Sequence, residues 1–206
     1  MTPLKLLKLI SEKLAQYTGH YAVAGGLAAS FYRSKPRMTN DVDIALFVDN
    51  TAQSKATAIE IIEAIGYDAA FGWISSSENN SQDPVALVIG RENKEEFEST
   101  IDFLLPALPW VENAVIRAQD NLIDFGFRKI PTLTPEDIIT AKAFAVSIKN
   151  TRFQDLDDIQ SIFAAENDLD IPYLVSEFKR LKLSLPKELA SQAPEAIRRL
   201  LKHHRN

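Results

Sequence analysis

The chain predicts an α/β core to about residue 132, followed by a helical C-terminal region to residue 206. Three observations lead there. Apolar residues alternate between strand spacing and helical spacing as far as Phe127. Thr134-Pro135-Glu136-Asp137 then reads as a helix start, with a hydroxyl at the N-cap, proline at the first helical position and acids in the first turn. Beyond it every apolar pattern is helical, punctuated by Pro172, Pro186 and Pro194. The division therefore falls between 1–132 and 133–206.

The elements follow in order. Residues 3–17 form an amphipathic helix with Leu4, Leu7, Ile10 and Leu14 on one face. Residues 20–24 are a short apolar strand, which Gly25-Gly26 turns into a helix over 27–33. Residues 42–48 alternate as a strand behind Asp41 and Asp43. A helix over 52–65 stops at Gly66, a strand follows over 67–74, and 75–83 is a loop without an apolar side chain. Two neighbouring strands are expected over 85–89 and 100–105, a helix over 109–118 and a strand over 121–127. The C-terminal helices are expected over 135–149, 154–166, 172–182 and 194–204.

Composition narrows the chemistry. With 46% hydrophobic and 25% charged residues the chain suits a packed core. Its apolar runs break well before the ~20 residues a membrane span needs, so no membrane partner is expected. The N-terminus alternates lysine with apolar residues and lacks the long uncharged stretch of a secretory signal. There is no cysteine, hence no disulfide, thiol nucleophile or zinc–thiolate site, which fits a reducing cytoplasm. The net charge is −5, yet residues 176–206 hold eight Lys/Arg against three Asp/Glu. A basic segment behind an acidic body suits nucleic-acid contact, and equally a helix with a solvated basic face. The three histidines form no metal or triad pattern, and Trp110 reads as packing at a helix start.

Asp41 and Asp43 are two apart on a strand, so they project together while Val42, Ile44 and Leu46 face the other way. Paired carboxylates repel, and stay ionised at low cost only if a cation or water reaches both. An isolated D-x-D is also what a solvent-exposed strand end looks like. Asp102 adds weight, because Ile101, Phe103, Leu104 and Leu105 surround it in an apolar strand. Should that strand lie beside 41–46, three carboxylates converge, as two-metal phosphoryl transfer requires. Gly25-Gly26, at a strand-to-helix turn, exposes backbone N–H groups that suit a phosphate, or is simply a tight turn.

Strand, Gly-Gly, helix, D-h-D and a later single Asp together resemble the polymerase-β-like nucleotidyltransferase superfamily. Within it the chain is most similar to the AbiEii-type nucleotidyltransferases. The added residues are Arg37-x-Thr39-x-Asp41-x-Asp43, then "TIDFLLPALPW", then "IPTLTPEDIITAKAFAVSIKNTRFQDLDDI". The resemblance implies a mixed β-sheet with flanking helices and a C-terminal helical region. It implies Asp41, Asp43 and Asp102 as ligands of magnesium or manganese, and Asp102 also as activator of the acceptor hydroxyl. Gly25 and Gly26 would hold the phosphates of an NTP, Lys142 would reach the triphosphate, and Arg37, Asp155 and Asp158 would belong to the nucleotide site. Three departures stand out, the first being the fourteen residues between Gly26 and Asp41, one beyond the usual range. Gln154 replaces the family's usual lysine, and Gly26 stands where many relatives have serine. Lys142 shares a helix face with Ile138, Ala145 and Lys149, so by spacing alone it could equally be a solvated lysine.

The function expected is NMP transfer from an NTP to an acceptor hydroxyl, on a tRNA 3′ end or a protein, by the toxin-like member of a toxin–antitoxin or phage-defence system. A cognate antitoxin is then an expected partner. The alternatives are a catalytically inactive binding or antitoxin module on the same fold, and a small-molecule, aminoglycoside-type nucleotidyltransferase.

Overall fold

The computed structural model describes residues 1–17, 19–74, 84–92, 99–148, 152–185, 189 and 192–203. The expected loop over 75–83 lies outside the described residues. Contacts divide the chain into two compact units, Met1–Leu27 with Met38–Leu133, and Ala28–Arg37 with Thr134–Asn206.

The first unit is built on five strands: β1 (His20–Val23), β2 (Asp41–Phe47), β3 (Asp68–Gly72), β4 (Leu87–Arg91) and β5 (Thr100–Leu104). They form one mixed sheet in the order β1-β2-β5-β4-β3. The β2–β5 pair is parallel and the other pairs are antiparallel. One face is apolar, because β2 and β5 alternate in phase: Val42 pairs with Ile101, Ile44 with Phe103, and all four are fully buried. Each such side chain contributes about 1.5–3 kcal/mol of apolar burial. Helices α1 (Pro3–Leu14) and α3 (Thr51–Ala64) pack on β2 and on each other. Asn50 caps α3 by accepting from the Gln53 N–H at 3.0 Å. The buried stripe of α1 is Leu6, Leu7, Ile10 and Leu14. Leu4, expected there, is 49% exposed, because the stripe centres one position further round the helix than its spacing from Leu7 suggested.

Three other elements differ from expectation. The helix after the glycines, α2, runs Gly25–Ala29, so it begins on the first glycine and ends early. The helix expected from Pro109 is α4 (Val111–Ala118), packed on β1 and β2. The single strand expected over 121–127 is a hairpin, β6 (Leu122–Asp124) and β7 (Lys129–Pro131). Gly126 turns it, with a left-handed φ of 84° and its N–H donating to Asp124 Oδ1 at 2.8 Å.

The second unit contains α5 (Pro135–Ile148), α6 (Phe153–Ala165), α7 (Ile171–Arg180) and α8 (Glu195–His203). The expected helix start at Thr134 is present: the Asp137 N–H donates to Thr134 Oγ1 at 3.4 Å, and that hydroxyl donates to Asp137 Oδ2 at 2.8 Å. The same first turn ties down α7. The Asp170 N–H donates to Glu136 Oε1 at 2.7 Å, and the Tyr173 hydroxyl to Asp137 Oδ1 at 2.6 Å. Buried Glu136 and Asp137 are thus partnered.

Candidate active site

The polar face of the first unit's sheet carries the aspartates. The parallel register sets Asp43 directly beside Asp102, and Asp41 beside Thr100. Paired residues of parallel strands share a face, ~4.8 Å apart between strands. Asp41, Asp43 and Asp102 therefore form one carboxylate face, as expected if the two strands were neighbours. The row runs from solvent inward: Asp41 is exposed, Asp43 is half-buried, and Ala45, next on that face, is fully buried. The Thr39 hydroxyl donates to Asp41 Oδ1 at 2.6 Å and fixes its rotamer.

Gly25 is part of this arrangement for a reason the sequence did not suggest. Its φ is 57°, and a Cβ placed there would lie 1.7 Å from Asp43 Oδ2. The glycine leaves the space that the Asp43 carboxylate occupies, in a conformation other residues rarely adopt. Ala24, just before it, donates to the Asp43 carbonyl at 2.9 Å, which brings the turn against β2.

Burial and the charge of Asp41 push the Asp102 carboxyl up to about 6, against a smaller downward pull from Arg91. Arg91 had no assigned role. It ends β4 two residues beyond Ile89, the β4 partner of Asp102, and so lies on the carboxylate face. The donor set suits a hard divalent cation, which would relieve the repulsion raising Asp102. Among the described residues no three acidic or imidazole groups stand close enough to cage an ion. The fit therefore rests on donor chemistry and unmet negative charge, not on a closed ligand shell.

The other expected site residues gather in the second unit. Lys142 on α5 is 6% exposed, so it is not the solvated lysine its spacing allowed. Its Nζ donates to Asp155 Oδ1 at 2.8 Å and lies 2.7 Å from Asp158 Oδ2. Asp158 also binds Arg37, which forks onto it from Nε and Nη2, both at 2.9 Å. Burial pushes the Asp158 carboxyl up, but the hydrogen bonds from Arg37 and the charge and hydrogen bond of Lys142 outweigh it, holding it below its ordinary value. Arg33, missed in the sequence, joins the same carboxylate. Its only signal was position, four residues before Arg37 in the spacer between Gly26 and Asp41. Arg152 reaches Asp155 from a half-exposed position. In the basic C-terminal segment, Arg180 is bound to Glu177 and Arg199 to Glu195.

The five-stranded mixed sheet with its helices has a nucleotidyltransferase-like fold, as its likeness to solved structures shows. An antigenic nucleotidyltransferase-like protein from Paracoccidioides brasiliensis matches with a TM-score of 0.52 at 17% identity, covering 92% of this chain and 91% of its own. The antibiotic-resistance factor ANT(2'')-Ia matches in solution with a TM-score of 0.50 at 14% identity, covering 98% and 90%. In complex with adenylyl-2''-tobramycin it matches with a TM-score of 0.52 at 12% identity, covering 87% and 96%. No curated protein matches the sequence. The family described as nucleotidyl transferase AbiEii toxin, Type IV TA system, matches residues 8–203. The chain belongs to that family. Among the described residues no helix is long and apolar enough to cross a membrane.

Proposed function

We propose that the protein is a metal-dependent nucleotidyltransferase that moves an NMP from an NTP to an acceptor hydroxyl and releases pyrophosphate. The acceptor oxygen forms a bond to the α-phosphorus, the bond to the bridging oxygen of the pyrophosphate breaks, and the acceptor proton passes to Asp102. The observation that carries the reading is the parallel register of Asp43 with Asp102, with Asp41 on the same face. Asp41, Asp43 and Asp102 would hold magnesium or manganese, whose charge supplies acidification of the acceptor and neutralisation of the phosphates. Asp102, raised to about 6 with no cation bound, would be kept ionised by the metal and so able to take the proton. Gly25 and Gly26 would let phosphate approach the backbone, and Lys142 would supply cationic charge for the triphosphate.

As a member of a Type IV toxin–antitoxin family, the protein would act as a cytoplasmic toxin opposed by a cognate antitoxin. The basic segment supports a tRNA 3′ end as acceptor, since RNA affinity rests on neutralised phosphates. The test is transfer of label from each NTP, with magnesium or manganese, to tRNA, to total protein and to tobramycin, the last because ANT(2'')-Ia is seen with an adenylylated tobramycin. Labelled tRNA that is lost in Asp41→Ala supports the reading. Label on protein or tobramycin instead redirects the acceptor. Label on nothing, or label unchanged in Asp41→Ala, refutes the enzyme and leaves the binding module. Neutralising Arg198, Arg199 and Lys202 together is expected to abolish salt-dependent tRNA binding.

A further inference from the structure

We infer that Asp158 is a positioning residue and not a nucleotide ligand, and that Arg33 is its partner. Together with Arg37 they clamp the segment Ala28–Arg37 onto α6, and Asp158 holds Lys142 alongside Asp155. Only the role of Lys142 rests on the nucleotidyltransferase reading; the clamp itself does not.

The two aspartates of α6 look alike in sequence but differ in surroundings. Asp158 has no exposed surface. Oδ1 accepts from Arg33 and from Arg37 Nε, and Oδ2 accepts from Arg37 Nη2 and lies 2.7 Å from Lys142 Nζ. Both oxygens are thus occupied by cations, and the Arg37 contact is the two-pronged fork that holds a carboxylate best. A phosphate placed there would displace those cations and meet a buried anion. Asp155 is different. It shares Lys142 with Asp158, and its other oxygen faces Arg152, whose side chain is 52% exposed. Exchange with an incoming triphosphate can therefore begin at Asp155 while Asp158 keeps its grip on Lys142.

Arg33 bridges the inside and the outside of the network. Its Nη1 reaches buried Asp158, and its Nη2 donates at 2.8 Å to Asp157, whose side chain is 59% exposed. The guanidinium itself lies almost wholly within the protein, with 9% of its side chain exposed. Arg33 and Arg37 both lie in the stretch that joins Gly26 to Asp41. Within that stretch the residues of Arg37-x-Thr39-x-Asp41 divide their work. Arg37 forks onto Asp158, and Thr39 orients Asp41. The long spacer is an anchored segment, and the conformational freedom it would otherwise have is removed by two buried ion pairs.

The test uses the full chain and a double-mutant cycle in melting temperature, with NTP kinetics beside it. Asp158→Asn strips the compensating charge from three cations and is expected to lower the melting temperature by about 10 °C. Arg33→Gln is expected to lower it by roughly half as much, with the double variant well short of the sum. Arg33→Lys, which keeps the charge but loses the bridge, recovers part of the loss. In turnover, Asp158→Asn is expected to lower kcat while leaving the NTP KM within about threefold, since a positioning residue makes no contact with the ground-state nucleotide. An Asp158→Asn protein that melts like wild type and has an NTP KM raised about tenfold or more would make Asp158 a direct ligand and overturn the inference. Additive melting shifts would separate Arg33 from Asp158 with the same result. If Asp158→Asn does not fold, the Arg33→Gln and Arg33→Lys pair decides, because only a clamp predicts loss with the first and recovery with the second. The melting cycle reads equally well in a chain that transfers nothing, so failure of the clamp and failure of the enzyme are distinguishable.

Discussion

Asp102 on the strand face and Asp158 in the helical unit are both carboxylates drawn away from water, yet their surroundings act in opposite directions. Around Asp102, burial and Asp41 favour the protonated form, and Arg91 opposes them more weakly. Around Asp158, burial is outweighed by Arg37 and Lys142. The first aspartate stores unmet charge, and the second has had its charge met by the protein itself. A fold gains nothing from unmet charge, so the strand face is where a ligand is owed, while the ion network is where the chain is held.

Exchanging the carboxylate at each place should separate the two roles most sharply. Asp41→Ala and Asp102→Asn are expected to lower nucleotide transfer roughly 10²- to 10⁴-fold, with no loss of melting temperature. Asp158→Asn should lose stability first. If Asp102→Asn melted as low as Asp158→Asn, the strand face would be structural and the comparison would fail.

A second comparison is between two left-handed glycines. At Gly25, φ 57°, a Cβ would collide with Asp43 at 1.7 Å. At Gly66, φ 78°, nothing lies within 4 Å. Gly66→Ala should therefore show backbone strain alone, about 1 kcal/mol in denaturant unfolding. Gly25→Ala should cost up to about 3 kcal/mol and displace Asp43, so that transfer falls as well. Equal costs at the two sites would mean that Asp43 rotates away freely and is not held by the turn.

The pH dependence of stability carries the same contrast with opposite signs. The folded-state pKa of Asp102 is raised, from 3.8 to about 6, so the folded protein holds its proton longer than the unfolded chain does. Its contribution is fully present below the ordinary value and is lost as pH rises through about 6. The folded-state pKa of Asp158 is lowered, so its contribution is present above the ordinary value and is lost as pH falls through the lower one. In chelator, Asp102→Asn should accordingly stabilise the protein at pH 8 by ~1–3 kcal/mol and give no gain near pH 4. Added magnesium should erase the gain at pH 8, because wild type then has the cation its carboxylates lack. A gain that persisted at pH 4 would point to packing at the asparagine instead of charge.

Much of the strand face was legible in the sequence, because it is written locally. Gly-Gly after a short strand, D-x-D at period two and a lone Asp in an apolar run are each local signals. Their assembly depended on β2 and β5 being neighbours in register, which no local pattern specifies. The ion network was legible only in part. Lys142, Asp155 and Asp158 stood out through family resemblance, but Arg33 meets Asp158 across 125 residues, and an arginine in a polar spacer looks solvated. Lys142 misled for a related reason. Its helix face mixes apolar and charged residues, and only the carboxylates of another helix reveal it as buried. The β6–β7 hairpin was missed because Gly126 sits inside what reads as one apolar run.

The smallest effect expected is at Arg91, and it tests whether anything balances the strand face. Arg91 is exposed at the end of β4, and its charge is what pulls Asp102 down. Without it the Asp102 carboxyl should hold its proton to higher pH. In chelator, the stabilisation by Asp102→Asn should then keep growing to higher pH in an Arg91→Gln background. The gain at pH 8 should be larger than in wild type, and near pH 4 the two backgrounds should agree. Arg91→Lys keeps the positive charge and should follow wild type. An equal gain in both backgrounds at pH 8 would mean that Asp102 is tuned by burial and Asp41 alone.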